Sequence, residues 1–363
     1  AAQVDSESCD LLILQSAPKV IAFQRKKLLI AALRGRGHVL IETALPEAQS
    51  ILRERLLRRP SQVVPLRYFG YAAHAQWLVE RYAAKVVLND RNGSLYSPFL
   101  RLALNAHQRL LVHLAHATTV EHSRRLGMND YDYYFLFGQS SLEALQARTL
   151  RFGTSIAVLA GSHMIDNAFD LPPADPARRV LLVLGVGPDK EKEAGYQRTY
   201  ELLRDWAAEN PAYQVLIKAH PRSRVPFWQQ QALTLNNIEV LPRECGLAEA
   251  LARASVVVNI MSNAVIEAGL AGRPVIYANA SGQADIFAQE QYFGGCVDSL
   301  EAMERRCRQI DAEYVQSCAA ARRFADYHLA QGVAGLERTL ELLERLLAGE
   351  VIESQPLVGT VDI

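Results

Sequence analysis

Short apolar runs alternate with longer amphipathic stretches along the whole chain, and this alternation restricts the fold more than any other feature. In the first half the runs lie at 10–15 (DLLILQ), 38–43 (HVLIET), 85–89 (KVVLN), 110–113, 133–137 and 156–160. In the second half they lie at 180–184, 214–218, 238–241, 256–260 and 275–278. They are too short for helices and apolar at successive positions. Neither face can therefore look to water, as in strands buried within a parallel sheet. Helical patterns at 24–34, 47–58, 194–209, 226–233, 247–252 and 263–271 supply the crossovers such a sheet needs.

Three prolines without periodicity mark 167–179 (NAFDLPPADPARR) as a break, with the linker itself at 171–179. A chain of 363 residues is too long for one ordinary core and comfortable for two. The predicted architecture is α/β. A Rossmann-like, doubly wound parallel-sheet domain covers 1–170 and a second covers 180–330. The two face a cleft, and a helical C-terminal tail follows at 331–363. Ligands of such sheets sit beyond the carboxyl ends of the strands.

Lys plus Arg and Asp plus Glu number 39 each, so no net field draws nucleic acid. No apolar run approaches the roughly 20 residues that span a bilayer, and the polar start at 1–10 lacks the layout of a signal peptide. A cytoplasmic protein is expected. Cys9, Cys245, Cys296, Cys307 and Cys318 form no C-x-x-C pair and are read as reduced thiols. Arg-rich helices near 53–59 and 305–308 are read as solvated faces. The alternative is contact with anionic lipid, which would make the protein peripheral at the inner face of the plasma membrane.

Four segments could carry chemistry. In LIKAHPR (216–222) a buried strand ends at Lys218, and Pro221 stops further pairing, so His220 is displayed at the strand's end. There an imidazole can donate to a phosphate, with Lys218, Arg222 and Arg224 adding positive potential. In NIMSNAVIEAGLAGRP (259–274) a strand runs into a helix start, with Ser262 as the expected N-cap and Asn263 in the first turn. Free amides there suit a diphosphate, and Glu267 could reach a ribose or base. In LLVHLAHATTVEHSRR (110–125), His116 lies where strand gives way to loop, beside His113, Thr118, Thr119, Glu121 and His122, and is the candidate general base. In LGVGPDKEKE (184–193) two glycines turn the chain after a strand and present Asp189, a candidate positioning group or nucleophile. These glycines complete neither a P-loop nor a dinucleotide fingerprint. Asp130-Tyr131-Asp132 spells D-x-D, but it opens a strand, and no metal or other cofactor is expected.

Together these segments resemble the GT-B superfamily, and within it the teichoic-acid glycerophosphotransferases and the Kdo and sialic-acid transferases of capsule and lipopolysaccharide. LVHLAHATT resembles the former's His-Gly-Thr-Pro base segment, with His116 at the histidine and Ala117 at the glycine. VLAGSHMID (158–166) resembles the stretch before their linker, with Ser162 and His163 where Pro-Arg stands. LIKAHPR matches their His-Pro motif, and Ser262 keeps a serine that meets donor phosphate. Asn259, Met261, Asn263 and Glu267 depart from the glycerol-transferring pattern and favour a CMP-activated sugar.

The resemblance implies a metal-independent glycosyltransferase of bacterial surface-polysaccharide synthesis. It would move Kdo or another nonulosonate from a cytidine-nucleotide donor to a glycan or lipid-linked glycan, without a cofactor, within a polysaccharide-assembly complex. The donor would meet Lys218, His220, Pro221, Ser262, Asn263 and Glu267, and His116 would take the acceptor's proton. The alternatives are a CDP-glycerol or CDP-ribitol phosphotransferase, a UDP-sugar epimerase and a non-catalytic binding module.

Overall fold

A computed structural model describes residues 6–120 and 123–357. Two candidate residues of the His116 segment, Glu121 and His122, lie outside the described residues. The chain divides into two compact units. Unit 1 is Ala1–Asp166 with Leu329–Ile363, and unit 2 is Asn167–His328.

Unit 1 is built on β1 (Leu11–Gln15), β2 (Leu40–Ala44), β3 (Val86–Asn89), β4 (Leu110–Leu114), β5 (Tyr133–Leu136) and β6 (Ser155–Leu159), all parallel where they pair. Unit 2 holds β7 (Val180–Leu184), β8 (Gln214–Lys218), β9 (Ile238–Val240), β10 (Val256–Asn259) and β11 (Val275–Tyr277), also parallel. A last strand, β12 (Gln355–Leu357), runs antiparallel to β6. The sheet orders are β12-β6-β5-β4-β3-β1-β2 and β11-β10-β7-β8-β9.

β1, β3 and β7 are buried at every residue, as strands covered on both faces must be. Each fully buried Leu, Ile or Val there contributes about 1.5–3 kcal/mol of hydrophobic stabilisation. Each sheet reverses its strand order once, between β1 and β3 in unit 1 and between β7 and β10 in unit 2. Loops leaving the two strands at such a reversal part in opposite directions and open a crevice at their carboxyl ends.

Two expectations need correction. The segment 331–363 is not a separate tail. The helix Gly335–Leu347 buries Leu340, Leu343 and Leu346 in the core of unit 1, and Arg36 and His38 meet its Glu344 at 2.8 and 3.0 Å. Gly161 permits the return: a Cβ there would lie 2.4 Å from the carbonyl of Ala330, and its φ is +78°. The helix expected at 263–271 spans only Val265–Leu270, with Ala264 as its cap. Ser262 Oγ accepts the Ala264 N–H at 3.3 Å, two residues on, which forms a turn in place of the first helical turn.

Candidate functional site

At the crevice of unit 2, β7 ends in the glycine loop 185–187, and the backbones of β7 and β8 nearly touch beyond their last residues. The Gly185 N–H donates to the Lys218 carbonyl at 2.9 Å, and a Cβ at 185 would stand 2.9 Å from the His220 nitrogen. Glycine is required by this approach. His220 is half-buried, and its Nδ1 accepts the Arg222 N–H at 3.2 Å. That contact fixes the neutral tautomer: Nε2 carries the proton and is a donor.

The turn beyond is anchored from below. Buried Ser223 donates to the buried carboxylate Glu191 and accepts the Val225 N–H at 2.9 Å. Burial raises the Glu191 carboxyl above its ordinary value, against the lowering by the Ser223 hydroxyl. Val225, a β-branched residue, is held at φ +43°, a strained conformation that this anchor maintains.

Across β7, β10 ends at buried Asn259. Its Oδ1 accepts the Ser262 N–H at 3.0 Å, and its Nδ2 donates to Gln289 Oε1 at 2.8 Å. Gln289 in turn donates to the Ile260 carbonyl at 3.1 Å. This chain fixes the loop that carries Ser262, whose hydroxyl accepts from Ala264 and keeps its own proton to donate. Glu267 is half-buried, and desolvation pushes its carboxyl up to about 7. Near neutrality it is therefore divided between acceptor and donor forms. Lys218 is half-buried, whereas Asn263, Pro221 and Asp189 are exposed. Asp189 sits in the one-turn helix Pro188–Glu191.

Unit 1 places a different kind of cluster at its crevice. Lys26 is 2% exposed and its ammonium lies 2.5 Å from Asp90 Oδ2. It also donates to Gln15 Oε1 at 3.1 Å, and Gln15 donates to Glu42 at 2.8 Å. Burial alone would raise the Asp90 carboxyl, but the adjoining Lys26 ammonium holds it below its ordinary value. His116, half-buried, meets the Asp90 carbonyl through Nδ1 at 3.1 Å. A carbonyl only accepts, so Nδ1 carries the proton and the lone pair is on Nε2. That is the tautomer a general base needs.

Burial lowers the His116 pKa, with Asp90 acting against it, so the ring is neutral near pH 7. His163 shares these surroundings and is pushed down to about 3 by burial, with Lys26 adding to the effect. His113, fully buried between Asn89 and Asn92, is likewise driven to about 3 by burial and stacks on Tyr131 at 4.2 Å.

The D-x-D residues are structural. Arg101 bridges Asp130 and Asp132, each at 2.9 Å, and Asp132 also accepts the Leu111 N–H. Among the described residues no group of three or more His, Cys, Asp or Glu side chains could hold a metal ion. Nor is any helix among them long and apolar enough to cross a membrane.

Lys218, His220 and Ser262 thus stand at the carboxyl ends of β8 and β10 on either side of β7, and His116 stands beyond β4 in unit 1. Sequence reasoning missed Lys26 and Asp90. Asp90 closes an apolar strand in KVVLND, a signal that could have been read. Lys26 lies among Arg25 and Lys27 and gives no such sign.

The chain is similar to several solved structures at low identity. A UDP-GlcNAc 2-epimerase from Neisseria meningitidis bound to UDP-GlcNAc matches with a TM-score of 0.57 and 11% identity, over 92% of this chain and 99% of that one. MurG of Acinetobacter baumannii matches with 0.54 and 12%, over 93% and 99%. The glycosyltransferase SnogD from Streptomyces nogalater matches with 0.51 and 15%, over 93% and 100%. No family model matches the chain, and no curated protein matches it in sequence. The two sheets and these likenesses define the GT-B fold.

Proposed function

We propose that the protein is a glycosyltransferase that uses a nucleotide-activated sugar, with unit 2 holding the donor and unit 1 supplying the base. The observation that carries this reading is His220. Its Nε2 is set as a donor by the Arg222 amide, at a strand end where glycine lets two backbones close. In the proposed reaction the acceptor hydroxyl oxygen attacks the anomeric carbon and its proton passes to His116 Nε2. The carbon–oxygen bond to the nucleotide phosphate breaks, and the electron pair leaves on that phosphate. His220 Nε2–H, the Ser262 hydroxyl and Lys218 stabilise the departing charge. Glu267 takes the ribose, and Asn263 and Pro221 shape the site. Asp189, exposed, is kept as a nucleophile only for a reaction that retains configuration.

The donor we propose is a CMP-activated nonulosonate such as CMP-Kdo, on the pairing of the His-Pro motif with Ser262. The acceptor is a glycan or lipid-linked glycan of a bacterial surface polysaccharide. A UDP-sugar is the second reading, favoured by the likeness to a chain bound to UDP-GlcNAc.

A thermal-shift panel of CMP, CDP, UMP, UDP, GDP and ADP tests this. Stabilisation selective for CMP and lost in His220→Ala is the expected result. Selectivity for CDP would favour polyol-phosphate transfer, selectivity for UDP would end the cytidine reading, and no response would favour a non-catalytic module. With a working donor, His116→Ala should lower kcat about 10²–10⁴-fold while nucleotide binding persists. Unchanged kcat would remove His116 as the base.

A further inference from the structure

Unit 1 contains a cavity of about 880 Å³ whose lining combines apolar side chains, among them Leu45, Ile51 and Leu57, with Arg67, Arg91, Arg125 and Arg151. The lining includes no carboxylate, and none of the four arginines forms an ion pair among the described residues. Among the described residues no carboxylate offsets these four exposed guanidinium groups, so their positive potential favours an anion.

Their gathering is built into the backbone. Gly93 has φ +65°, and a Cβ there would stand 2.6 Å from both the Arg125 Cβ and the Arg125 carbonyl oxygen, so the Arg91 loop lies directly on the Arg125 turn. Gly153 has φ +91° and would place a Cβ 1.9 Å from the Asn129 carbonyl, which holds the Arg151 loop against the same turn. His74 also lines the cavity and is 1% exposed. Its Nδ1 lies 3.1 Å from the Tyr96 hydroxyl, while its Nε2 is buried and has no hydrogen-bond partner among the described residues. A buried polar nitrogen left unmatched in this way is costly, and a polar ligand atom would relieve it.

The cavity lies next in the chain to the Lys26 cluster. Its lining residues Ser16 and Arg91 directly follow Gln15 and Asp90, the two residues that hold Lys26.

We propose that this cavity binds an anionic oxygen group, a phosphate ester or carboxylate, carried on an apolar body. The arginines grip the anion and the apolar wall takes the body. This rests on the reading of unit 1 as the acceptor side and gives that acceptor a chemical class.

Calorimetric titration of the full chain with octyl phosphate below its micelle concentration tests the assignment, with inorganic phosphate and octyl glucoside as controls. Octyl phosphate should bind at least about tenfold more tightly than either control, since each control lacks one of the two contacts. The double variant Arg91→Gln/Arg151→Gln should weaken it by about tenfold or more and leave nucleotide binding unchanged.

Gly70 lines the cavity, and no atom stands within 4 Å of where its Cβ would be, so Gly70→Trp should occupy the cavity and abolish binding, with an unchanged Tm as the check that the fold is kept. Competition by phosphatidylglycerol vesicles would support the site with a lipid as source, and lack of competition would support it with a water-soluble anion. Octyl glucoside binding as well as octyl phosphate, or octyl phosphate binding that survives both variants, would overturn the proposal. Association with vesicles but not with octyl phosphate would do so too. The titration needs neither nucleotide nor turnover, so its failure leaves the donor panel and the His116 test standing.

Discussion

Units 1 and 2 carry similar parallel sheets, each with one reversal of strand order, and treat the charge placed there in opposite ways. Unit 1 buries it: Lys26 and Asp90 are 2% and 6% exposed, and three histidines of the same cluster are held neutral. Unit 2 leaves Lys218 and His220 half-buried and Arg222 exposed, and buries only the neutral or acidic residues that position them. Burying an ion pair seldom stabilises a fold, because desolvation offsets the attraction. On the function proposed above, the cluster in unit 1 would set proton positions before substrate arrives, and the half-buried Lys218 and His220 of unit 2 would adapt to a phosphate and release it.

The sharpest way to break this contrast is to strand the buried charge. Asp90→Ala leaves the Lys26 ammonium unpaired and should cost about 3–5 kcal/mol. Hydrogen exchange should show the loss in the amides of β1 and β3 and spare β7 and β8. The double variant Lys26→Met/Asp90→Leu should recover most of it, and failure to recover would mean the pair holds more than its own charges.

Acid should also separate the units. His74, His113 and His163 have folded pKa values of about 4, 3 and 3, below the unfolded value, so they stay neutral in the fold while the unfolded chain takes up protons. Stability unaffected above pH 6.5 should then fall as pH drops towards these values, by up to about 1.4 kcal/mol per pH unit for each histidine. A urea series from pH 7 to 4 should find unit 1 unfolding first. Parallel losses in both units would refute the contrast.

The smallest effect belongs to His220→Ala, which removes a half-exposed ring and should change stability by no more than about 0.5 kcal/mol even as it weakens nucleotide binding. A larger change in the urea midpoint would mean that the Arg222 contact organises the turn.

What could be read from the sequence follows the same division. Buried parallel strands announce themselves as apolar runs, so β1 to β11 were legible within a residue or two. The placement of His220 and Ser262 just beyond strand ends was legible, because there position along the chain fixes position in space. Lys26 was not, since it lies on a polar stretch and meets Asp90 across 64 residues. Only the fold shows which cation of QRKK turns inward. β12 was missed for a related reason: three residues carry too little pattern, and its pairing with β6 depends on a chain return set by Gly161 and Gly335.

That return has a consequence for synthesis. Unit 2 is one unbroken stretch of chain, inserted between the two parts of unit 1. Domains fold as units while the chain emerges from the ribosome. Whenever unit 2 completes, the core beside β1 to β6 stays open until the helix Gly335–Leu347 has also emerged. Unit 1 thus starts before unit 2 and closes only after it, and its uncovered leucines are what a chaperone would meet in between.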